Sequence, residues 1–421
     1  MADRIWIKSL TLENVRSFEG AHTIYFTDNG EEDGKPAQWN VILGDNGTGK
    51  TTVLKGVYIS GLHRHSYNLF SGLNRTRVLK FDINSLWNIG NKSKFETKHP
   101  FMVQHMRSGP LLNIRGHATL VDDKIADEFV LKGYSANRAI GSKFKSEPAP
   151  DDFHSSNLFD ENLELINAEQ WLLDIDRASI NNEMFKRDRD KTIYILEKLF
   201  EKENIKINIG NYYQWVRVLF STPYGNIILS ELSLGYRTLI AWVVDLARAL
   251  YDKFPGSNDP LYDPLSEPAV CLVDEIDLHL HPKFQRQIIQ FLTETFPNTQ
   301  FIVTAHSPLI VQAAEDYNAN LILLKREGDH TVVVNNPVEV RNWRIDQILS
   351  SELFDGVAAR PPQAEANIER RRELIRKQKL NKAEKEELQK LEEEINNLPV
   401  LESKEAIEAI EILKKAARNL K

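Results

Sequence analysis

Residues 39–52 read Trp39-Asn40-Val41-Ile42-Leu43-Gly44-Asp45-Asn46-Gly47-Thr48-Gly49-Lys50-Thr51-Thr52. The first five form a short, mostly apolar run of strand length. From Gly44 to Thr51 the chain matches G-x-x-x-x-G-K-[ST] at every fixed position, and the residues after it are helix-compatible. Glycines let main-chain N–H groups curl around phosphate oxygens, and the start of the next helix adds the positive end of its dipole. The stretch predicts a strand, a phosphate-cradling loop and a helix. Gly44, Asp45, Asn46, Gly47, Thr48, Gly49, Lys50, Thr51 and Thr52 are the residues expected around a nucleotide. Lys50 is expected on the β- and γ-phosphates of ATP, and the Thr51 hydroxyl on Mg2+.

A second apolar run, Val270-Cys271-Leu272-Val273, ends in Asp274-Glu275. A carboxylate at the C-terminal edge of a strand can hold Mg2+ through water, and its neighbour can polarise an attacking water. Asp274 is assigned to the metal and Glu275 to the water. His306 closes the next apolar strand, one crossover helix further on. Strand ends in parallel sheets converge on one crevice, which makes His306 a catalytic candidate beside Glu275 and Lys50. Leu232-Ser233-Leu234-Gly235-Tyr236-Arg237 opens a helix with a Ser and a Gly. Ser233 and Gly235 are either a second anion site or a plain N-cap.

Around these motifs the text alternates between strand and helix. Short strands are expected within 5–15, 22–26 and 39–43, further strand pieces at 111–121 and 128–134, and strand-like text over 211–230. From Asn162 the pattern turns helical, with Leu163, Ile166, Leu172 and Leu173 on one face, then Ile193, Leu196 and Phe200 at steps of three and four. A buried helix follows Ser233, another lies around 282–296, and two late strands occupy 321–326 and 330–334. The fold class that follows is α/β, a mostly parallel sheet with antiparallel N-terminal strands, a helical insert and a helical tail. The expected segments are 1–150 with the phosphate loop, a helical insert at 151–230, a second part of the same lobe at 231–345, and a C-terminal helical region at 346–421. In that last region Asn381 and Glu384 resemble a capping box, with Leu388, Leu391 and Ile395 as a narrow apolar seam before Pro399. A final helix is expected from Ser403.

Composition narrows the function classes. Of 421 residues, 42% are hydrophobic and 27% charged, which excludes disordered and collagen-like chains. The 53 basic residues fall short of the 60 acidic ones, a formal charge of −7 that gives no global reason to bind nucleic acid. The single cysteine, Cys271, excludes a disulfide framework and any four-cysteine zinc site within the chain. The N-terminus lacks the layout of a signal peptide, and no apolar run approaches the roughly 20 residues that span a bilayer. A cytoplasmic, soluble protein with no membrane partner is expected.

Taken together, the motifs resemble the ABC-type ATPase heads of the SMC, RecF and overcoming-lysogenization-defect (OLD) group. Gly44–Thr52 looks like their Walker A, Leu232–Leu239 like the ABC signature, Cys271–Asp277 like Walker B, and Asp277–Pro282 like the D-loop region. Thr304–Pro308 looks like the switch-histidine strand, and the opening Ile7–Gly20 is similar to theirs. The resemblance implies ATP sandwiched between two subunits, with Ser233 and Gly235 contacting the γ-phosphate held by the partner's loop. It implies a homodimer or higher homo-oligomer. It also implies a glutamine that senses Mg2+, for which Gln104 is one candidate and the turn Gly133–Arg138, similar to a Tyr-Gly…Arg turn of related ATPases and with Asn137 as the substitute, is the other. The interval from Lys50 to Ser233 fits a compact insert and excludes a long coiled-coil arm; with one cysteine there is no zinc hook.

The segment from Trp343 to Pro362 and the charged helical pair after it look like bacterial ATPases of anti-phage defence operons, the Septu type among them. That implies a sensor or regulator working with a separate nuclease effector of HNH or TOPRIM type, since no acidic triad of a TOPRIM domain follows Trp343. The other class that survives is a RecF-like repair clamp binding duplex DNA. Residues 61–65 and 74–77, with Tyr67 and Phe70 between, mix basic and aromatic side chains, and read either as a nucleic-acid track or as a solvated surface over core aromatics. The run from Arg370 to Lys379 is balanced by glutamates and reads as a solvated hairpin or an oligomer contact.

Overall fold

The computed structural model describes residues 5–13, 15–61, 78–88, 94–104, 129–138, 140–141, 156–255, 262–358, 360–377 and 380–396. The strand expected at 111–121, the aromatic and basic patch beyond Gly61, and the helix expected from Ser403 lie outside these residues. The chain divides into two compact units, residues 1–348 with 352–354, and residues 349–351 with 355–421.

At the centre of the first unit is a six-stranded sheet. Its strands are β3 (Trp39–Gly44), β6 (Val130–Tyr134), β10 (Ala269–Val273), β11 (Thr299–Thr304), β12 (Asn320–Glu327) and β13 (His330–Asn335). Their order is β13-β12-β3-β11-β10-β6, with every pair parallel except β12 and β13. Residues alternate between two cores, as the period of a strand requires. Trp39, Val41, Leu43, Cys271, Val273 and Val303 face one side; Ile42, Val270, Leu272 and Ile302 face the other. Cys271 is fully buried and burial pushes its thiol up, so it packs as a small apolar residue.

On the second face lie helix α1 (Lys50–Gly61) and an antiparallel sheet of β1 (Ile5–Glu13), β2 (Ala21–Tyr25), β4 (Val78–Asn88) and β5 (Lys94–Gln104), ordered β2-β1-β4-β5. The first face carries α2 (Ala168–Ser179), α3 (Glu183–Leu199), α4 (Leu234–Lys253), α5 (Pro282–Gln285), α6 (Ile288–Thr295) and α7 (Pro308–Glu315). A three-stranded antiparallel sheet, β7 (Lys206–Tyr212), β8 (Trp215–Thr222) and β9 (Gly225–Ile228), precedes α4. A one-turn helix, α8 (Ile345–Leu349), follows β13. The expected α/β class, mostly parallel with antiparallel N-terminal strands, is the architecture observed.

Two local expectations are corrected. The helical pattern read from Asn162 begins later, at Ala168, because the Asn167 side chain accepts from the Gln170 N–H and caps α2 there. Leu163 and Leu165 belong instead to a folded turn, where Asn157 Nδ2 donates to the Leu163 carbonyl and the Gly141 N–H to the Leu165 carbonyl. The helix read around 282–296 is two short ones, α5 and α6, parted at Arg286-Gln287.

The described part of the second unit is a pair of helices, α9 (Pro362–Arg376) and α10 (Lys382–Asn396). The capping box is present: the Glu384 N–H donates to Asn381 Oδ1 at 2.8 Å, and the Asn381 N–H to Glu384 Oε2 at 2.9 Å. Arg370 bridges to Glu387 with two N–H···O bonds, so the pair is laced by charge.

Candidate nucleotide site

β3 delivers the chain to Gly44, and α1 starts six residues later at Lys50. Gly44, Gly47 and Gly49 all have positive φ, at 139°, 81° and 95°, a backbone that side-chain-bearing residues rarely adopt. A Cβ on Gly49 would also stand 2.7 Å from the Phe18 ring, so the loop is packed on its inner side as well as curled. Thr48 Oγ1 donates to the Asp45 carbonyl at 2.8 Å and tightens the turn. Lys50 Nζ donates to the carbonyls of Gly44 (2.7 Å) and Asp45 (2.9 Å), which holds its ammonium at the loop mouth. Burial lowers its pKa, opposed by the nearby carboxylates of Asp274, Glu275, Asp45 and Asp277. Thr52 is buried, with Arg16 Nη1 3.4 Å from its hydroxyl.

The strand-end acids meet this loop. Thr51 Oγ1 donates to Asp274 Oδ2 at 2.6 Å, and Thr304 Oγ1 donates to Asp274 Oδ1 at 2.6 Å. The Glu275 N–H donates in turn to Thr304 Oγ1 at 2.7 Å. A chain of hydrogen bonds therefore ties the start of α1 to the ends of β10 and β11. Glu275 itself sits at φ 49°, a left-handed conformation that is uncommon for a glutamate. His306 stands three residues past Val303, the register partner of Val273. Its side chain is exposed, and its main-chain N–H donates to the two Asp277 carboxylate oxygens at 3.2 and 3.3 Å.

Ser233 is exposed at the N-cap of α4, and its side chain makes no capping bond. Gly235 is buried, and a Cβ there would stand 2.2 Å from the His279 carbonyl, so α4 begins in direct contact with the loop that follows the acids. Among the described residues no hydrogen bond joins Ser233 or Gly235 to residues 44–52. Lys50, Thr51, Asp274 and Glu275 are thus gathered within one chain, with His306 on the neighbouring strand end, and Ser233 stands apart from the loop.

The two glutamine-like candidates occupy different places. Gln104 ends β5, in the antiparallel sheet. Asn137 lies in the turn after β6, the strand paired with β10, but its Nδ2 donates to the Glu161 carbonyl at 3.2 Å. The arginine that closes the same turn was given no role of its own from the sequence: Arg138 is 5% exposed, and its Nη2 donates to the Glu275 carbonyl at 2.7 Å. The signal for it was a lone arginine in a Gly-Tyr-Ser-Ala-Asn-Arg turn, meaningful only once β6 is known to lie against β10.

The residues present suit ATP with a hard divalent cation. Thr51 and Asp274 offer an oxygen pair already facing each other, and the loop offers main-chain donors beside a lysine. This is the site of a P-loop protein of α/β class. The family model described as "AAA domain, putative AbiEii toxin, Type IV TA system" matches residues 39–312, and the chain belongs to that family. The chain is homologous to the Septu protein PtuA of Bacillus mycoides, 25% identical over 366 residues, covering 86% of this chain and 46% of that protein. It is 36% identical over 147 residues to the "Retron Vc95 probable ATPase" of Vibrio cholerae, covering 33% of this chain and 27% of that one. The chain thus spans less than half the length of either relative. Among solved structures, the SMC head domain from Thermotoga maritima aligns with a TM-score of 0.41 at 18% identity, over 79% of this chain and 100% of that chain. No helix among the described residues is long and apolar enough to cross a membrane.

Proposed function

We propose that the chain binds and hydrolyses ATP as the nucleotide-dependent subunit of an anti-phage defence system, with a separate nuclease as its effector. The observation that carries the ATPase reading is the 2.6 Å bond from Thr51 to Asp274, which places a P-loop hydroxyl on a strand-end carboxylate. Thr51 and Asp274 would hold Mg2+, which supplies charge neutralisation between the phosphates when bound. Lys50 would grip the terminal phosphates, Glu275 would orient and deprotonate the attacking water, and His306 would flank the terminal phosphate from the next strand end. The defence reading rests on the homology to PtuA and to the retron protein.

The test is a pair of substitutions. Lys50→Ala should lose ATP binding in a titration, because among the described residues no other cation sits on the loop carbonyls. Glu275→Gln should bind ATP as the unaltered protein does yet turn it over at least about a hundredfold more slowly. Undiminished turnover by Glu275→Gln would remove the assignment of the water to that residue. Co-purification from the native operon tests the effector, with a nuclease as the expected companion.

A further inference from the structure

Arg138 is a strong cation buried among the carboxylates of this site that the proposed chemistry leaves unused. It sits four residues past the end of β6, whose pairing with β10 places Tyr134 opposite Val273, and the Asp274 N–H donates to the Tyr134 carbonyl at 2.8 Å. The turn is fixed from both sides: Asn157 Oδ1 accepts from the Ser135 N–H at 2.9 Å, and Asn157 Nδ2 donates to the Asn137 carbonyl at 3.2 Å. The main chain around Arg138 is therefore anchored independently of its guanidinium.

That guanidinium is under-used. Nη2 donates to the Glu275 carbonyl, while Nε and Nη1 are buried and have no hydrogen-bond partner. A buried N–H left without an acceptor gives up its hydration and gains nothing in return. A structural arginine ordinarily avoids this by forking onto a carboxylate. Here the carboxylates of Asp274, Asp277 and Glu275 are all near enough to favour the charge, yet no carboxylate oxygen of theirs accepts from it. Burial lowers the pKa to about 10, which leaves the group charged at neutral pH.

We infer that Arg138 is a catalytic cation supplied in cis, whose free Nε and Nη1 donors take oxygens of the transferred phosphoryl group while Nη2 holds the Glu275 peptide in its left-handed conformation. A planar fork of donors matches phosphate oxygens better than a point charge does. One side chain then reads the terminal phosphate and sets the residue that orients the water, so the two are assembled together. The inference rests on the ATPase reading and adds a residue to it.

The test uses the full chain with ADP, Mg2+ and aluminium fluoride, a mimic of the phosphoryl group in flight. Arg138→Met and Arg138→Lys should bind ADP within about threefold of the unaltered protein, since ground-state binding is carried by the loop. Both should lose about a hundredfold or more in turnover and in affinity for the ADP–aluminium fluoride complex. Thermal unfolding checks folding, and Arg138→Lys, which keeps the charge and can still reach the Glu275 carbonyl, covers the case in which Arg138→Met does not fold. Unimpaired trapping of ADP–aluminium fluoride by a folded variant overturns the inference. Failure of the unaltered protein to bind ADP overturns the ATPase reading and this inference with it, and is seen before any substitution is made.

Discussion

Thr51 and Asp274 are 223 positions apart in the chain and share a 2.6 Å hydrogen bond in the fold. Both were legible in the sequence, because each belongs to a motif whose residue types are forced by chemistry: a hydroxyl after the lysine, a carboxylate at a strand end. Arg138 was legible only as the end of the Gly133–Arg138 turn, not as a partner of Glu275, since that contact depends on the pairing of β6 with β10 and on burial. Asp188 in α3 was silent altogether. It is 5% exposed, its Oδ1 has no hydrogen-bond partner, and Arg187 Nε lies 3.7 Å away. Burial pushes its carboxyl up to about 6, against the pull of Arg187. The folded chain therefore holds a proton that the unfolded chain has released, and the stability this gives at low pH is lost as pH rises from about 4 through 6. Asp188→Asn removes that loss. Urea unfolding should show it more stable than the unaltered protein by about 1–3 kcal/mol at pH 7.5 and equal to it near pH 4. A gain of the same size at both pH values would mean that the charge of Asp188 is not the cause.

Among the elements, the strands of the parallel sheet and α1 were readable because short apolar runs bounded by polar residues, proline or glycine leave little choice of structure. The start of α2 was misread, although Asn167 followed three residues later by Gln170 was the capping signal to weigh against the apolar spacing of Leu163 and Ile166. The junction of α4 with the loop after β10 was invisible for another reason: it is a contact between main chains. Gly235 lies where any Cβ would press on the His279 carbonyl at 2.2 Å, and His279 itself stands at φ 62°. Main chain cannot swing aside as a side chain can, so Gly235→Ala must push the start of α4 away from residues 275–281. We expect a loss of about 1–3 kcal/mol in denaturant unfolding. ATP turnover should fall further than ADP binding, since the loop that moves carries Glu275 and the phosphate loop does not. Equal loss of binding and turnover would show that α4 supports the phosphate loop rather than the acids.

For the molecule as a whole, the decisive question is whether one chain contains a complete site. The phosphate loop, Asp274 and Glu275 are joined by hydrogen bonds within the chain, whereas Ser233 is exposed at the start of α4 and bonds to none of residues 44–52 among the described residues. If Ser233 completes the site of a second copy, each active site draws its loop and acids from one subunit and its serine from the other. Glu275→Gln and Ser233→Arg should then both be inactive alone, the first holding ATP in a stable dimer that size-exclusion chromatography detects. Mixed in equal amounts before ATP is added, they should regain activity. In a mixed dimer one site carries both changes and the other carries neither, because the intact acids belong to the Ser233→Arg chain and the intact serine to the Glu275→Gln chain. With random pairing in a two-fold dimer, turnover should return to roughly a quarter of the unaltered protein's. A site built within one chain cannot be rescued this way, so a mixture as inactive as its components would place Ser233 outside the reaction.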